Sequence, residues 1–143
     1  MKQSVFVPDA SVLLKWVLSS PDEADASQAL ALRTAWLEGR CQLLVPSVWA
    51  YEVGNILGLK APAQARALLS LLFELEIEEV PARQTAGDAL ALMGRRGVTF
   101  YDAVYHAAAL ARKGCLVTAD ARYLARTAAE GHAVLLRDWE SVS

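Results

Sequence analysis

Short and almost wholly apolar segments recur along the chain, and longer segments of helical character separate them. The clearest are Val5–Val7, Leu43–Val45 and Leu116–Thr118, with further candidates at Ile77–Val80 and Ala133–Leu136. The three clearest segments do not alternate between apolar and polar residues, so they fit strands that are buried on both faces. Buried strands that alternate with helices typically form a parallel sheet between layers of helices. The pattern therefore predicts an α/β protein with a central parallel sheet.

Length and composition limit the remaining possibilities. A chain of 143 residues has the size of one ordinary domain, so we expect residues 1–143 to fold as a single domain. Apolar types make up 55% of the residues and charged types 21%, a balance that excludes a disordered chain. The apolar runs are shorter than the about 20 residues that a membrane span needs, so no membrane association is expected. Two isolated cysteines, without metal-ligand spacing, favour a reducing, cytoplasmic location.

Local signals mark several helix boundaries. Thr99 is placed to cap a helix over 100–113, and Asp120 begins a later helix. Ser20 and Glu23, with Pro21 between them, have the spacing of a capping box and predict the start of another helix.

Acidic residues follow the ends of predicted strands. Asp9 follows the first strand, Asp120 follows the strand at Leu116–Thr118, and Asp102 lies in the first turn of the helix that leads to that strand. Ligands of open parallel sheets bind beyond the carboxyl ends of the strands, so a shared site is one interpretation. Acids also stabilise helix N-termini by about 0.3–1 kcal/mol, so an ordinary capping role stays open for Asp102 and Asp120.

Glu52 is harder to explain as a structural residue. It lies inside a predicted helix that Ser47 can cap, and its neighbours four positions away are Val48 and Ile56. An unpaired carboxylate on such an apolar stripe costs several kcal/mol or takes up a proton. An arginine partner or an exposed stripe would account for it, and so would a metal ion shared with the strand-end acids. Asn55, one turn further on, points roughly the same way.

Four carboxylates in one crevice would repel one another, and a cation would relieve the repulsion. Oxygen-only ligands suit Mg²⁺ or Mn²⁺ better than zinc, and such ions serve phosphoryl chemistry. The sequence has no GxxxxGK[ST] loop and no glycine-rich turn between strand and helix. Nucleoside triphosphate hydrolysis of the P-loop kind and dinucleotide binding are therefore not expected.

Four segments of the chain resemble the motifs of PIN-domain proteins, specifically those of VapC-type toxins. In chain order they are Val7–Trp16, Val45–Asn55, Thr99–Tyr105 and Leu116–Leu124. One such motif would be weak, because an acid after a strand is common. Four in register, over nearly the whole chain, make the resemblance specific.

The resemblance implies a three-layer α/β/α PIN-like domain and a metal-dependent endoribonuclease that leaves 5′-phosphate and 3′-hydroxyl ends. The acids that match the motifs, and that would hold one or two Mg²⁺ or Mn²⁺ ions, are Asp9, Glu52, Asp102 and Asp120. Ser11, Asn55 and Thr118 are supporting candidates, since Ser11 can position a phosphate and Thr118 can bond a ligand acid. Similar toxins cut RNA, pair as homodimers and are neutralised by a cognate VapB-like antitoxin.

Other functions stay open. Many relatives carry a further acid shortly after the fourth-motif aspartate, where this chain has Ala121 and Arg122 and so lacks that ligand for a second ion. A phosphatase of the haloacid-dehalogenase kind would need an aspartate at position 11, which is Ser11. A receiver-type signalling domain would need an acidic pair near the end of the first strand and a distant lysine, and only Asp9 is there. A catalytically silent PIN-like module that binds RNA or a protein is the non-enzymatic alternative.

Two further sets of residues invite functional interpretations. His106 shares a helix face with Asp102, and we interpret it as a packed or hydrogen-bonded histidine rather than a ligand. A track of cations along a phosphate backbone is a hypothesis that competes with scattered surface charge. Its candidate members are Lys15, Arg95, Arg96, Arg112 and Lys113.

Overall fold

A sheet of five parallel strands organises the molecule. The computed structural model describes residues 3–18, 20 and 22–140. Within these residues the strands are β1 (Val5–Pro8), β2 (Gln42–Pro46), β3 (Glu78–Val80), β4 (Cys115–Thr118) and β5 (Ala133–Leu135). Their order across the sheet is β3-β2-β1-β4-β5, and every neighbouring pair is parallel. The predicted central parallel sheet is confirmed.

Helices cover both faces of this sheet, which gives the predicted three-layer α/β/α architecture. In the described part of the chain the α-helices are α1 (Ala10–Leu18), α2 (Ala26–Leu37), α3 (Trp49–Lys60), α4 (Ala65–Glu74), α5 (Ala82–Arg96), α6 (Phe100–Ala111) and α7 (Ala121–Thr127). Short 3₁₀ helices follow at Ala128–Glu130 and Leu136–Asp138. None of these helices combines the length and hydropathy needed to cross a membrane.

The strand order places a crevice between β1 and β4. The chain builds β1, β2 and β3 outward in one direction and then crosses back to add β4 and β5 on the other side. Because connections between parallel strands are right-handed, this reversal sends the two sets of helices to opposite faces. The register pairs Phe6 with Cys115 and Pro8 with Val117, so the chain leaves β1 and β4 side by side. Such a switch point is where open α/β sheets bind ligands.

Helix α6 lies against the middle of the sheet, where it packs on β1, β2 and β4. Its residues 103–109 are all buried, and the small side chains of Ala107, Ala108 and Ala109 let the helix approach the strands closely. The predicted Thr99 cap is confirmed, since its hydroxyl oxygen accepts a hydrogen bond from the Asp102 amide at 3.2 Å. The first turn of α6, which carries Asp102, is therefore held firmly.

Gly114 joins α6 to β4 at a point where no side chain fits. A Cβ atom at this position would lie 2.6 Å from the carbonyl oxygen of Val5, far inside van der Waals contact. Glycine thus allows β4 to lie directly beside β1. This close approach aligns the two strand ends that carry the acids.

Two predicted helix boundaries are wrong. Helix α2 begins at Ala26 rather than at the predicted capping box, because the Glu23 carboxylate accepts a hydrogen bond from Lys15 Nζ at 2.8 Å and Asp25 adopts a left-handed φ of 67°. Pro21, the middle of that box, lies outside the described residues. Helix α6 ends at Ala111 rather than at 113, because residue 113 also has a positive φ.

Candidate metal-binding active site

Asp9 lies half-buried at the end of β1, in the crevice. Its amide donates a hydrogen bond to the Val117 carbonyl oxygen of β4 at 3.1 Å, which fixes the backbone between the two strands. Its Oδ1 accepts from the Ser11 hydroxyl and from the Val12 amide, the latter at 3.3 Å. Burial raises the pKa of the Asp9 carboxyl to about 6, with a smaller contribution from the charge of Asp102, although the hydrogen bonds act to lower it.

Two hydroxyl groups join the end of β1 to the end of β4. Ser11 donates to Asp9 and accepts from the Ala119 amide at 3.0 Å. The fully buried Thr118 accepts from the Asp120 amide at 3.0 Å, and a hydrogen bond from its hydroxyl lowers the pKa of Asp9. Thr118 therefore lies beside Asp9 and Asp120, the kind of acid it was predicted to bond, and Ser11 bonds Asp9, whereas its predicted contact with a phosphate stays a prediction.

Glu52 lies in the first turn of α3 rather than deep inside the helix. The helix begins only at Trp49 and Ser47 does not cap it, because Ser47 continues from β2 and donates its amide to the Val80 carbonyl oxygen at 3.1 Å. No arginine pairs with Glu52 among the described residues. The polar group that faces it is the Tyr105 hydroxyl.

The Glu52 carboxylate has little compensation for its charge. Burial raises its pKa to about 7, the nearby charges of Asp102 and Asp9 raise it further, and Tyr105 only partly opposes this. The contact with Tyr105 falls short of a full hydrogen bond, and Glu52 Oε1 and the Tyr105 hydroxyl are both buried without one. Glu52 Oε1 is thus a buried acceptor in need of a partner.

Asp102 and Asp120 lie at the mouth of the crevice and line one cavity of about 150 Å³. Partial burial raises the pKa of Asp102, and the charge of Asp120 adds to the effect. Asp120 Oδ1 accepts from the amides of Arg122 and Tyr123 at 3.0 and 3.1 Å, so Asp120 caps α7. Capping and site membership are therefore compatible for this residue.

Asn55 is exposed on α3, and its side chain makes no hydrogen bond with any described residue. Its membership of the site stays a prediction.

The fold brings the four acids into one electrostatic cluster. Repulsion acts between Asp9 and Asp102, between Glu52 and both of them, and between Asp102 and Asp120. Over residues 3–18, 20 and 22–140, no three acidic, His or Cys side chains stand at the spacing of a ready-made metal site. An all-oxygen donor set, mutual repulsion and an orphaned buried oxygen nevertheless fit a hard divalent cation.

The cations beside the acids are not those that the sequence suggested. The cavity that Asp102 and Asp120 line also contains Arg122 and Arg126. Arg126 donates to the Gly97 carbonyl oxygen at 2.9 Å, whereas Arg122 forms no side-chain hydrogen bond or ion pair with any described residue.

Most of the predicted phosphate track is already paired. Lys15 bonds Glu23, Arg112 bonds Glu78, and Glu130 holds both Arg95 and Arg96. Sequence reasoning missed Arg122 and Arg126, because Arg122 was considered only as a residue after the fourth-motif aspartate and Arg126 was not considered. Their spacing of four on a helix that starts at a site acid was the available signal.

The described fold and this crevice define a small α/β/α domain with an all-carboxylate cluster at the switch point of its sheet. The family model of the PIN domain matches residues 6–130, and the chain belongs to the PIN domain family. The match argues against the phosphatase and receiver-type alternatives. No curated protein is similar enough in sequence to count as a relative.

Solved structures share the fold over nearly their whole lengths. PAE2754 from Pyrobaculum aerophilum has a TM-score of 0.66 at 25% identity, covering 93% of this chain and 90% of its own. A toxin–antitoxin complex from Klebsiella pneumoniae has a TM-score of 0.66 at 17% identity, with coverages of 94% and 98%. VapBC2 from Rickettsia felis, bound to a promoter DNA fragment, has a TM-score of 0.63 at 16% identity, with coverages of 92% and 96%.

Proposed function

We propose that this PIN domain is a metal-dependent endoribonuclease, a VapC-like toxin that hydrolyses RNA phosphodiester bonds and is neutralised by a cognate VapB-like antitoxin. The observation that supports it most is the cluster of four mutually repelling carboxylates, none of which forms an ion pair with a described residue. PIN domains are generally nucleases that use divalent metals, so the family supports the same activity.

Asp9, Glu52, Asp102 and Asp120 are the residues that would hold Mg²⁺ or Mn²⁺. When bound, such an ion polarises a phosphate and lowers the pKa of water. The chain's own residues do the positioning: Ser11 and Val12 orient the Asp9 carboxylate, and the Thr118 hydroxyl links it to the Asp120 amide.

The guanidinium of Arg122 supports a phosphate-binding role in the same cavity. It lines the cavity with two acids but pairs with neither, so its charge is available to a phosphodiester oxygen. Arg126 lines the same cavity, but its guanidinium already donates one hydrogen bond to the Gly97 carbonyl oxygen. A cation of this kind would hold RNA next to the acids without adding to the ligands of a metal.

The antitoxin partner and the homodimer are supported by other observations. Two of the similar solved structures are named as a toxin–antitoxin complex and as VapBC2. The surface over α3 and α4 exposes 80% of Tyr51, 76% of Leu59 and 49% of Phe73. Exposed apolar surface of this kind is typical of protein interfaces. Action in the cytoplasm would keep the free thiols of Cys41 and Cys115 reduced.

A catalytically silent PIN-like module is the second candidate. It is favoured by the lack of a ready-made group of three metal-binding side chains among the described residues. In that case the protein would bind RNA or a partner protein without cleaving RNA.

Cleavage of single-stranded RNA separates the two candidates. The purified protein should cut RNA in Mg²⁺ or Mn²⁺, leave 5′-phosphate ends and stop in EDTA. Asp9→Asn should be inactive, whereas Asp88→Asn, which changes an exposed acid of α5 outside the crevice, should retain activity. RNA binding without cleavage by the wild type in either metal would favour the silent module.

A further inference from the structure

His106 is a fully buried polar residue that the proposed reaction does not use. Its ring lies on α6, where Nδ1 is 2.9 Å from the Tyr123 hydroxyl and Nε2 is 2.7 Å from the Gly131 carbonyl oxygen. The rings of His106 and Tyr123 pack edge to face, with centroids 5.7 Å apart. The prediction of a packed, hydrogen-bonded histidine is confirmed, and its two bonds are directional.

The direction of both bonds follows from the partners. A backbone carbonyl can only accept, so Nε2 carries the hydrogen that Gly131 receives. In the neutral ring, Nδ1 then accepts the hydrogen of the Tyr123 hydroxyl. Burial lowers the pKa of His106, which favours this neutral form. The donor and the acceptor of each bond are therefore fixed, and the two bonds together hold Tyr123 in one position relative to α6.

Tyr123 connects this histidine to a site acid. The Tyr123 amide donates to Asp120 Oδ1 at 3.1 Å, and the residue lines the same cavity as Asp102 and Asp120. His106 lies one helical turn after Asp102 on α6, so the two side chains lie on one face. The bond from Tyr123 to His106 thus ties the helix that carries Asp102 to the helix that Asp120 begins.

The other bond fixes the far end of the same segment. Gly131 has φ 69° and ψ −165°, a conformation that is essentially restricted to glycine, and its carbonyl oxygen points at His106. The preceding residue, Glu130, is held by Arg95 and Arg96. The segment from Asp120 to Gly131 is therefore anchored to α6 and α5 at its end as well as at its start.

We infer that His106 is a positioning residue that acts through Tyr123 to set the separation of Asp102 and Asp120 for a divalent cation. The identity of the ligand rests on the proposed function, but the linkage between the two helices does not. Outer partners of this kind typically change metal affinity by about 10–100-fold when they are removed.

The test compares two conservative variants of α7. Tyr123→Phe removes the hydroxyl that His106 accepts and keeps the ring. Thr127→Val is the matched control, because it removes another buried hydroxyl of α7, which donates to the Tyr123 carbonyl oxygen at 2.9 Å, and keeps the Tyr123 hydroxyl that bonds His106. Melting temperature, Mn²⁺ affinity by electron paramagnetic resonance, and hydrogen exchange of the Arg122 and Tyr123 amides are measured for both.

Tyr123→Phe should weaken Mn²⁺ binding about 10-fold and speed exchange of the two amides that Asp120 holds. Thr127→Val should lower the melting temperature but leave Mn²⁺ affinity within about twofold of wild type, since α6 and α7 stay linked. His106→Asn, whose amide oxygen can take the place of Nδ1, should recover part of the affinity that His106→Ala loses.

Equal Mn²⁺ affinity in Tyr123→Phe and Thr127→Val would overturn the inference and leave His106 a structural residue. If wild type binds no Mn²⁺, the proposed function fails instead. The positioning role is then tested by the hydrogen-exchange rates of the Arg122 and Tyr123 amides. Faster exchange in Tyr123→Phe than in Thr127→Val supports it, and equal exchange overturns it.

Discussion

Two clusters of charged side chains in this molecule shift the pKa values of their carboxyl groups in opposite directions. Glu130 accepts hydrogen bonds from Arg95 and Arg96, each at 2.7 Å, and the two guanidinium groups lower its pKa to about 2. In the crevice between β1 and β4, no such cation meets Asp9 or Glu52, and burial raises their pKa values to about 6 and about 7.

The difference is that the carboxylate at Glu130 is neutralised by side chains of the protein, whereas Asp9 and Glu52 are not. The Glu130 cluster contains its own counter-charges and needs nothing from outside. The crevice holds carboxylates whose ionised forms are disfavoured, and each pKa unit of such a shift is worth about 1.4 kcal/mol. A bound divalent cation would convert that unfavourable free energy into binding affinity. The comparison therefore supports the proposed cation site in the crevice and a structural role for Glu130.

The largest expected effect comes from removing a crevice acid. Asp9→Asn and Asp102→Asn should each lower the rate of RNA cleavage by roughly 1000-fold or more, because loss of a metal ligand removes several kcal/mol of transition-state stabilisation. The cleavage rate in Mg²⁺ and the melting temperature are the measurements. Asp88→Asn serves as the control, and full activity of both crevice variants would contradict the assignment.

Glu52→Gln should stabilise the metal-free protein. The pKa of Glu52 in the folded protein is about 7, against 4.5 for an ordinary glutamate. The protonated side chain therefore stabilises the fold fully below about pH 4.5, and this stabilisation is lost as the pH rises through 7. Above pH 7 in EDTA the variant should gain roughly 1–2 kcal/mol in free energy of unfolding, after allowance for partial exposure. Urea unfolding across this range measures it.

The gain in Glu52→Gln should disappear toward pH 4.5, where the wild-type side chain is also neutral. Mg²⁺ should then stabilise the wild type more than the variant. A variant that is less stable than wild type above pH 7 in EDTA would show that the Glu52 charge is compensated after all.

Arg122→Gln should weaken binding of single-stranded RNA several-fold, measured in the inactive Asp9→Asn background. Loss of one phosphate contact should also lower the slope of log affinity against log salt by about 0.7. Fluorescence anisotropy at several salt concentrations gives both quantities. Arg83→Gln, in an exposed first-turn position of α5, is the matched control. Equal salt-dependence slopes for the two variants would show that Arg122 does not contact the RNA phosphates.

The smallest effect is expected at Glu130. Its pKa is depressed from 4.5 to about 2, so its contribution to stability is present above pH 4.5 and is lost as the pH falls through 2. Glu130→Gln should cost about 1 kcal/mol or less at neutral pH, since both arginines are partly exposed. The cost should vanish in acid, as the gain in Glu52→Gln does, but the two effects have opposite signs at neutral pH. A change of stability of the same sign in both variants at neutral pH would contradict the comparison.

The sequence predicted the positions of the acids better than their surroundings. Asp9 and Asp120 follow buried strands, and the chain order of strands and helices is enough to place them at one edge of the sheet. Thr99 could be recognised because capping depends only on neighbours in the chain. These features are local, or follow from topology alone.

Features that depend on distant residues could not be predicted in this way. The start of α2 is displaced because Lys15, from α1, binds Glu23. The counter-charge of Arg95 and Arg96 comes from Glu130, more than 30 positions away. The tie between His106 and Tyr123 exists only once α6 and α7 are packed together.

The most direct test of the central claim is a calorimetric titration of the metal-free protein with Mn²⁺, run beside Asp9→Asn. We expect the wild type to bind one or two ions and the variant, with the same fold, to bind them much more weakly. No Mn²⁺ binding by the wild type, or equal binding by Asp9→Asn, would contradict the claim that the crevice is a cation site.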